Sequence, residues 1–218
     1  MPYVPHKVTA ADIAQLVDAI DRAAFRLGYD GAAEVLRVEE LSADTGIEPE
    51  RVRQLLEGAE PEQPPTGNKN GEREAFYRQL VGRRLTFLRK RADPTSEHGE
   101  SLRPIGDDVD LSHALIARLS SGERSARVEY SSPLEERYGV PHGFLSKPEG
   151  PALADRLSKF SDALWASVLR EEMMAWGGKE MALRQVGEER PPTYEELVGV
   201  MDLISARKRI QQRRDGTS

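Results

Sequence analysis

Apolar residues recur every three or four positions along most of the chain, which is the spacing of helices that bury one face. The first such segment is predicted to run from Thr9 to Gly28, because threonine is a suitable N-cap and glycine a suitable stop. Its apolar stripe consists of Ile13, Leu16, Val17, Ile20, Ala24 and Leu27. The pattern as a whole predicts an all-α fold with short elements.

A helix-turn-helix pattern follows in residues 38–57. A short helix over 38–44, a turn at Thr45-Gly46 and a second helix from Pro49 to Glu57 are predicted. The solvent side of the second helix carries three carboxylates, which repel phosphates. Protein contact or plain packing is therefore favoured over DNA binding for this segment. The three carboxylates are those of Glu48, Glu50 and Glu57.

Two stretches rich in proline and glycine interrupt the helical periodicity, AEPEQPPTGNKNG (59–71) and SKPEGP (146–151). Both predict exposed breaks between modules. They divide the chain into an acidic helical module (1–58), a linker (59–71), a second helical module (72–146) and a C-terminal helical region (147–218).

The second module is predicted to begin with a helix over EREAFYRQLVGRRLTFLRKRA. Apolar side chains lie roughly on one side of it and five basic side chains on the other. The usual interpretation is a solvated basic face, and the alternative is contact with a polyanion. The five basic residues are Arg83, Arg84, Arg89, Lys90 and Arg91.

The segment LSHALIARLSSGERSARVEY predicts a short helix from His113 to about Ser120. Ser112 is suited to cap it and Gly122 to stop it. Another short helix is predicted to start at Pro133. Apolar residues then close the module. The expected buried residues are Leu115, Ile116, Leu119, Val140, Phe144 and Leu145.

The stretch LIARLSSGERSARVEYSSPLEERYGVPHGFLS resembles lambda-repressor-like (XRE) helix-turn-helix regulators, and among them an actinobacterial EspR-like subgroup. Members of that family have a recognition helix ending in Leu-x-x-Gly-x-Arg and a closing aromatic-aliphatic turn. Leu119, Gly122 and Arg124 match the first motif. The resemblance covers about residues 72–146, and more faintly 160–209. It implies a DNA-binding domain followed by a helical dimerisation domain.

On this hypothesis the 112–121 helix enters the major groove and the residues after it contact the DNA backbone. The proposed base- or phosphate-contacting residues are Ser112, His113, Ala114 and Arg118. The proposed backbone-contacting residues are Ser121, Arg124, Ser125 and Arg127.

The segment before this helix, GESLRPIGDDVD, departs from the alanine-rich positioning helix of the family. Pro104 and Gly106 are expected to shorten or interrupt a helix here. Asp107, Asp108 and Asp110 add negative charge near the expected DNA face.

The C-terminal region has two amphipathic segments with more apolar surface than they can bury against each other. We favour burial in a homodimer over packing against other modules of the same chain. The expected dimerisation residues are Leu164, Trp165, Val168, Trp176, Tyr194, Leu197, Met201 and Ile204.

The charge distribution allows a DNA-binding module despite the net charge of −6. Residues 1–66 contain six Lys/Arg and thirteen Asp/Glu, whereas residues 67–147 contain fourteen and twelve. Because a local basic face matters more than the sum, the acidic total does not exclude phosphate contact.

Catalytic and metal sites are not indicated. The four histidines lie far apart in sequence without metal-ligand spacing, and no glycine-rich phosphate loop occurs. Ser112 and His113 are adjacent, so their side chains diverge on a helix and do not form a nucleophile and base. We expect no enzyme, no cofactor and no metal.

The sequence also lacks cysteine, an apolar signal region and an apolar run of membrane-spanning length. The expectation is a cytoplasmic, nucleoid-associated dimer that binds double-stranded DNA as a transcription regulator. The alternative is a non-enzymatic adaptor whose residues 8–58 bind a basic partner, such as RNA polymerase or another regulator, with a degenerate helix-turn-helix.

Overall fold

The computed structural model describes residues 7–66 and 70–175. Within these residues the protein is all-helical, with helices and turns and no strand. The helices are α1 (Ala10–Arg26), α2 (Ala32–Val35), α3 (Val38–Thr45), α4 (Pro49–Leu56), α5 (Asn70–Ala92), α6 (Leu102–Val109), α7 (His113–Ser120), α8 (Val128–Arg137) and α9 (Glu149–Ala175).

The chain divides into two compact units. Of the described residues, the first unit holds those up to Ala14 and from Arg37 to Arg156, and the second holds Gln15–Leu36 and those from Leu157 onward. The boundaries therefore fall inside α1 and α9, and residues 8–58 contribute to both units.

The first unit has its core where α5, α6, α7 and α8 meet. Its α7 packs against α5 and α6, and α6 also packs against α8. The buried residues of this cluster are Val81, Leu85, Leu88, Ile105, Ile116, Leu119, Leu134, Phe144 and Leu145. Every one is apolar, so burial of apolar surface holds the helices around α7 together.

The second unit has a smaller cluster in which α1 supplies Ala23 and α9 supplies Trp165, Val168 and Leu169. Leu27 and Leu164 pack against it partly buried. Arg26 lies over the Trp165 ring, with its guanidinium carbon 5.5 Å from the ring centre.

Three local predictions from the sequence differ from the structure. Within the described part of the expected linker, residues 61 and 62 are fixed to the fold, since Pro61 is buried and the Glu62 amide donates to Glu149 at 2.5 Å. Pro133 is the sixth residue of α8 and does not start it. Pro104 and Gly106 do not interrupt α6, which is a continuous eight-residue helix.

Proline is accepted in α6 because it occupies the third helical position. Amides of the first turn have no partner within a helix, so a residue without an N–H loses nothing there. Gly106 is required at its position, because a Cβ on it would lie 2.5 Å from the Leu111 carbonyl oxygen.

Candidate nucleic-acid interface

Helices α6 and α7 are joined by a three-residue turn, Asp110–Ser112. Asp110 ends α6 in the left-handed conformation (φ 54°), and the Leu111 amide donates to the Gly106 carbonyl at 3.0 Å. Aspartate tolerates this conformation better than most residues, since its short side chain bonds locally. The left-handed residue and this hydrogen bond together fix the short turn between α6 and α7.

The N-terminus of α7 is capped as predicted. The Ser112 hydroxyl accepts a hydrogen bond from the Leu115 amide at 3.2 Å. Ile116 and Leu119 are fully buried and hold the helix against the core. The opposite side is open to solvent. The predicted groove-contacting residues on that exposed side are Ser112, His113, Ala114 and Arg118.

The loop after α7 exposes three of its four predicted DNA-contacting side chains, those of Ser121, Arg124 and Arg127. Within the described residues Arg118 and Arg124 form no ion pair, whereas Arg127 lies 3.6 Å from Glu129 with both side chains exposed. The fourth, Ser125, is partly buried and its hydroxyl donates to Glu74 on α5 at 2.6 Å. Ser125 therefore fastens the loop to α5.

Part of the acidic charge near α7 is compensated. Asp108 accepts a hydrogen bond from Arg137 Nε at 2.8 Å, and the same guanidinium bonds Glu100 at 2.5 Å. Hydrogen bonding to Arg137 lowers the pKa of Glu100, and burial raises the pKa of Tyr138, whose hydroxyl also donates to Glu100. Asp107 and Asp110 are exposed.

The pair α3 and α4 presents a different surface. Arg51 bonds Glu149 at 2.5 Å, and Arg53 pairs with Glu50 at 2.7 Å and Glu39 at 3.6 Å. Both arginines of α4 are therefore neutralised, while Arg118 of α7 is not paired among the described residues. Of the two helical pairs, α6 and α7 offer the better surface for an anion.

The predicted basic side of α5 is mostly engaged in holding the fold. Arg83 pairs with Glu62 at 2.6 Å, Arg89 donates to the Glu100 carbonyl at 2.8 Å, and Arg91 donates to two further carbonyls. Arg84 is only 2% exposed. Arg83, Lys90 and Arg91 are exposed, so three of the five predicted basic residues face solvent, while Arg84 lies inside the protein.

Two buried charged residues position the segment after α8: Arg84, which the sequence predicted on the basic side of α5, and Glu135, which the sequence pattern did not single out. Arg84 donates to the carbonyls of Phe144 (3.1 Å) and Lys147 (2.9 Å), and burial lowers its pKa to about 10. Glu135 accepts from the amides of Gly143 (3.0 Å) and Leu145 (2.9 Å). Nothing local distinguishes them from the many exposed Arg and Glu residues of this chain.

The expected dimerisation residues are only partly described. Trp165 and Val168 are buried within the chain against α1, so for these two the structure shows intrachain packing, which was the alternative to a dimer contact. Leu164 is partly buried. Trp176, Tyr194, Leu197, Met201 and Ile204 lie outside the described residues.

No protein-family model matches this chain, and neither a curated protein nor a solved structure shows significant similarity to it. In residues 7–66 and 70–175 no helix has both the length and the apolar character needed to cross a bilayer. The same residues contain no group of three or more His, Asp or Glu side chains placed to hold a metal ion.

Proposed function

We propose that this protein is a sequence-specific DNA-binding transcription regulator that acts as a dimer and inserts α7 into the major groove. In this proposal α6, the turn and α7 form the helix-turn-helix. The observation that carries it is the solvent face of α7 and the following loop, where Arg118 and Arg124 are exposed with no ion pair to any described residue.

The dimensions and side chains of α7 suit groove entry. An α-helix with its side chains is about 10–12 Å across, close to the width of the major groove, and eight residues make α7 about 12 Å long. Ala114 at its N-terminal end lets the backbone approach, and His113 and Ser112 supply hydrogen-bonding groups for base edges. Arg118, more than one turn further on, is long enough to contact a base or an adjacent phosphate.

The loop after α7 supplies contacts that position the helix without selecting sequence. Arg124 and Arg127 would neutralise phosphates, and Ser121, whose hydroxyl donates to the Arg118 carbonyl at 3.2 Å, would redirect this donor to a phosphate oxygen. Ser125 contributes indirectly, because its bond to Glu74 fixes the loop against α5. A second copy would double this small contact set, which supports action as a dimer.

The test is selection of DNA sites from a random duplex pool by the purified full chain, followed by anisotropy titration of an enriched site. We expect one motif to be enriched and the variant Arg118→Ala/Arg124→Ala to lose at least tenfold in affinity. A control variant, Lys7→Ala/Lys159→Ala, removes two exposed cations elsewhere and should bind nearly normally. Failure to enrich any motif, or full affinity in the double variant, would refute the proposal.

A second candidate function is that of an adaptor that binds a basic partner, such as RNA polymerase or another regulator. It is favoured by the neutralised arginines of α4 and by two exposed aromatic residues beside acidic positions, Phe25 (60% exposed) and Tyr29 (42%). An adaptor would enrich no DNA motif, and Phe25→Ser would abolish capture of its partner. Either function places the protein in the cytoplasm, with the DNA-binding one at the nucleoid.

A further inference from the structure

A second basic surface lies beside the loop that follows α7. It is a cleft of about 420 Å³ between the first half of α5 and this loop. Its lining residues are Arg73, Glu74, Tyr77, Arg78, Val81, Ser125, Ala126 and Ser146. Two arginines and one carboxylate give it a net positive charge, unlike the α4 surface.

The two arginines are poorly compensated. Arg73 is exposed, lies 6.0 Å from the centre of the Tyr77 ring and pairs with no described carboxylate. Arg78 is 34% exposed, and its closest carboxylate oxygen is that of Glu74 at 4.0 Å. Its Nε is buried without a hydrogen-bond partner among the described residues. A buried donor left unpaired costs about 1–3 kcal/mol, so this guanidinium is suited to an anion that the chain itself does not supply.

Close contacts place this cleft next to the proposed DNA-contacting loop. A Cβ on Gly82 would lie 2.8 Å from the Ser120 carbonyl oxygen, and one on Gly122 would lie 3.3 Å from the Arg78 carbonyl oxygen. Ser125 then bonds Glu74 at 2.6 Å. The loop therefore runs along α5 from Gly82 back to Glu74, and Arg124 precedes the cleft-lining Ser125 directly in the chain.

We propose that this cleft binds a backbone phosphate of the DNA duplex contacted by α7, through Arg73 and Arg78. The inference rests on the proposed function and extends the binding surface from α7 and its loop to the first half of α5. Guanidinium groups suit phosphate because their N–H groups match two of its oxygens. The contact adds affinity and fixes orientation, and it carries no base specificity.

Glu74 makes the proposal testable in the direction of tighter binding. Its carboxylate fastens the loop through Ser125 but also repels a phosphate in the same cleft. Glu74→Gln keeps an acceptor for the Ser125 hydroxyl and removes the charge. We expect this variant to bind DNA a few-fold more tightly, a gain that a purely structural role of Glu74 would not produce.

The experiment measures DNA affinity of the full chain against salt concentration, using the enriched site and an unrelated duplex. Arg73→Gln/Arg78→Gln should weaken binding to both duplexes, roughly ten- to fifty-fold at 0.1 M salt, and lower the salt slope by about 1, the value for one lost phosphate contact. Lys7→Gln/Lys159→Gln removes the same charge elsewhere and should leave the slope unchanged. Circular dichroism and urea midpoints confirm that each variant is folded.

Two results would overturn the inference while leaving the proposed function standing. In one, the wild type selects a DNA motif and loses it with Arg118→Ala/Arg124→Ala, but the Arg73/Arg78 variant keeps the full salt slope. In the other, calorimetry with pyrophosphate shows binding that requires Arg73 and Arg78 while the DNA slope is unaffected, which assigns the cleft to a free phosphorylated ligand. A wild type without any DNA affinity would instead refute the proposed function itself.

Discussion

Glu135 shows how one buried carboxylate holds the segment behind the proposed DNA-binding helix. The residue is 2% exposed, and its carboxylate accepts hydrogen bonds from the amides of Gly143 and Leu145. Those amides belong to the turn that delivers Phe144 and Leu145 to the core cluster. The polar and apolar contacts of this segment therefore depend on each other.

We expect Glu135→Ala to lower the free energy of unfolding by about 2–4 kcal/mol, because it leaves the buried Leu145 amide and the partly buried Gly143 amide without acceptors. Glu135→Gln, which keeps one acceptor oxygen, should lose less. Urea denaturation measures both, with the exposed neighbour Glu136→Ala as control. A Glu135→Ala midpoint equal to that of the control would show that the two amides find other acceptors.

Glu100 gives the protein a predictable acid sensitivity. Its hydrogen bond to Arg137 lowers its pKa below the ordinary value of 4.5, so the unfolded chain binds the proton more readily. The stabilisation is complete above about pH 5 and is lost as the pH falls through the folded-state pKa, below 4.5.

In urea titrations between pH 6 and pH 3, the wild type should lose stability as the pH falls, and Glu100→Gln should lose less over the same range. Glu97→Gln, an exposed change on the same loop, is the control. If the stability of the wild type and of Glu100→Gln fell equally with pH, the Glu100–Arg137 ion pair would not be the cause of the acid sensitivity.

At single positions, sequence reasoning succeeded where the signal was local. Ser112 caps α7, and Ile116 and Leu119 are buried, because capping and helical spacing depend on neighbouring residues only. It placed Arg84 on a basic helix face and did not single out Glu135, since a charged residue is buried only when distant backbone groups satisfy it. No pattern within a few residues contains that information.

The helices α5 and α7 pack closely because α5 has a glycine where they meet. A Cβ on Gly82 would lie within 3.2 Å of three backbone atoms of residues 119–122, which cannot move independently of α7. Gly71, on the same helix, has no atom within 4 Å of such a Cβ. Alanine at position 71 therefore tests helix propensity alone, whereas alanine at position 82 of the same helix also tests packing against α7.

Gly82→Ala should destabilise the protein by about 1–3 kcal/mol and weaken DNA binding, because it displaces α7. Gly71→Ala should stabilise it by up to about 1 kcal/mol through helix propensity. Urea midpoints of the two variants give the comparison. An equal increase in the urea midpoint of both variants would show that α7 moves away from position 82 with no loss of stability.

Element boundaries follow the sequence closely, with the exceptions at proline. The sequence predicts helix α7 from His113 to about Ser120, and the helix is found there. Pro104 and Pro133 are both expected to break or begin helices, and both lie inside one. Proline restricts only its own N–H and the preceding turn, so its effect depends on where the surrounding packing starts the helix.

The positions of paired and unpaired charges show which surfaces of the protein are basic, and the net charge does not. Both arginines of α4 pair with carboxylates, whereas the exposed Arg73, Arg118 and Arg124 pair with no described carboxylate. All three belong to the first compact unit. A net charge of −6 is thus compatible with one basic surface, which the salt titration measures directly.

If the protein is a dimer, light scattering of the full chain should give a solution mass of about twice the chain mass of 24.3 kDa. Leu197→Asp, in the predicted apolar stripe, should give the single-chain mass, because burying an unpaired carboxylate in an interface is costly. Gln211→Asp is the control and should stay dimeric. A wild type of single-chain mass at micromolar concentration would remove the dimer from the proposal.

By itself the sequence determined the helical class, the limits of α7 and its cap, because those depend on periodicity and on residues three or four positions away. It also predicted which side of α7 is buried. Only the tertiary structure decided which arginines are neutralised, that Glu135 is inside and that Trp165 packs on α1. The partners of a charge or a large apolar side chain come from remote parts of the chain, so its free energy of burial is set by the fold as a whole.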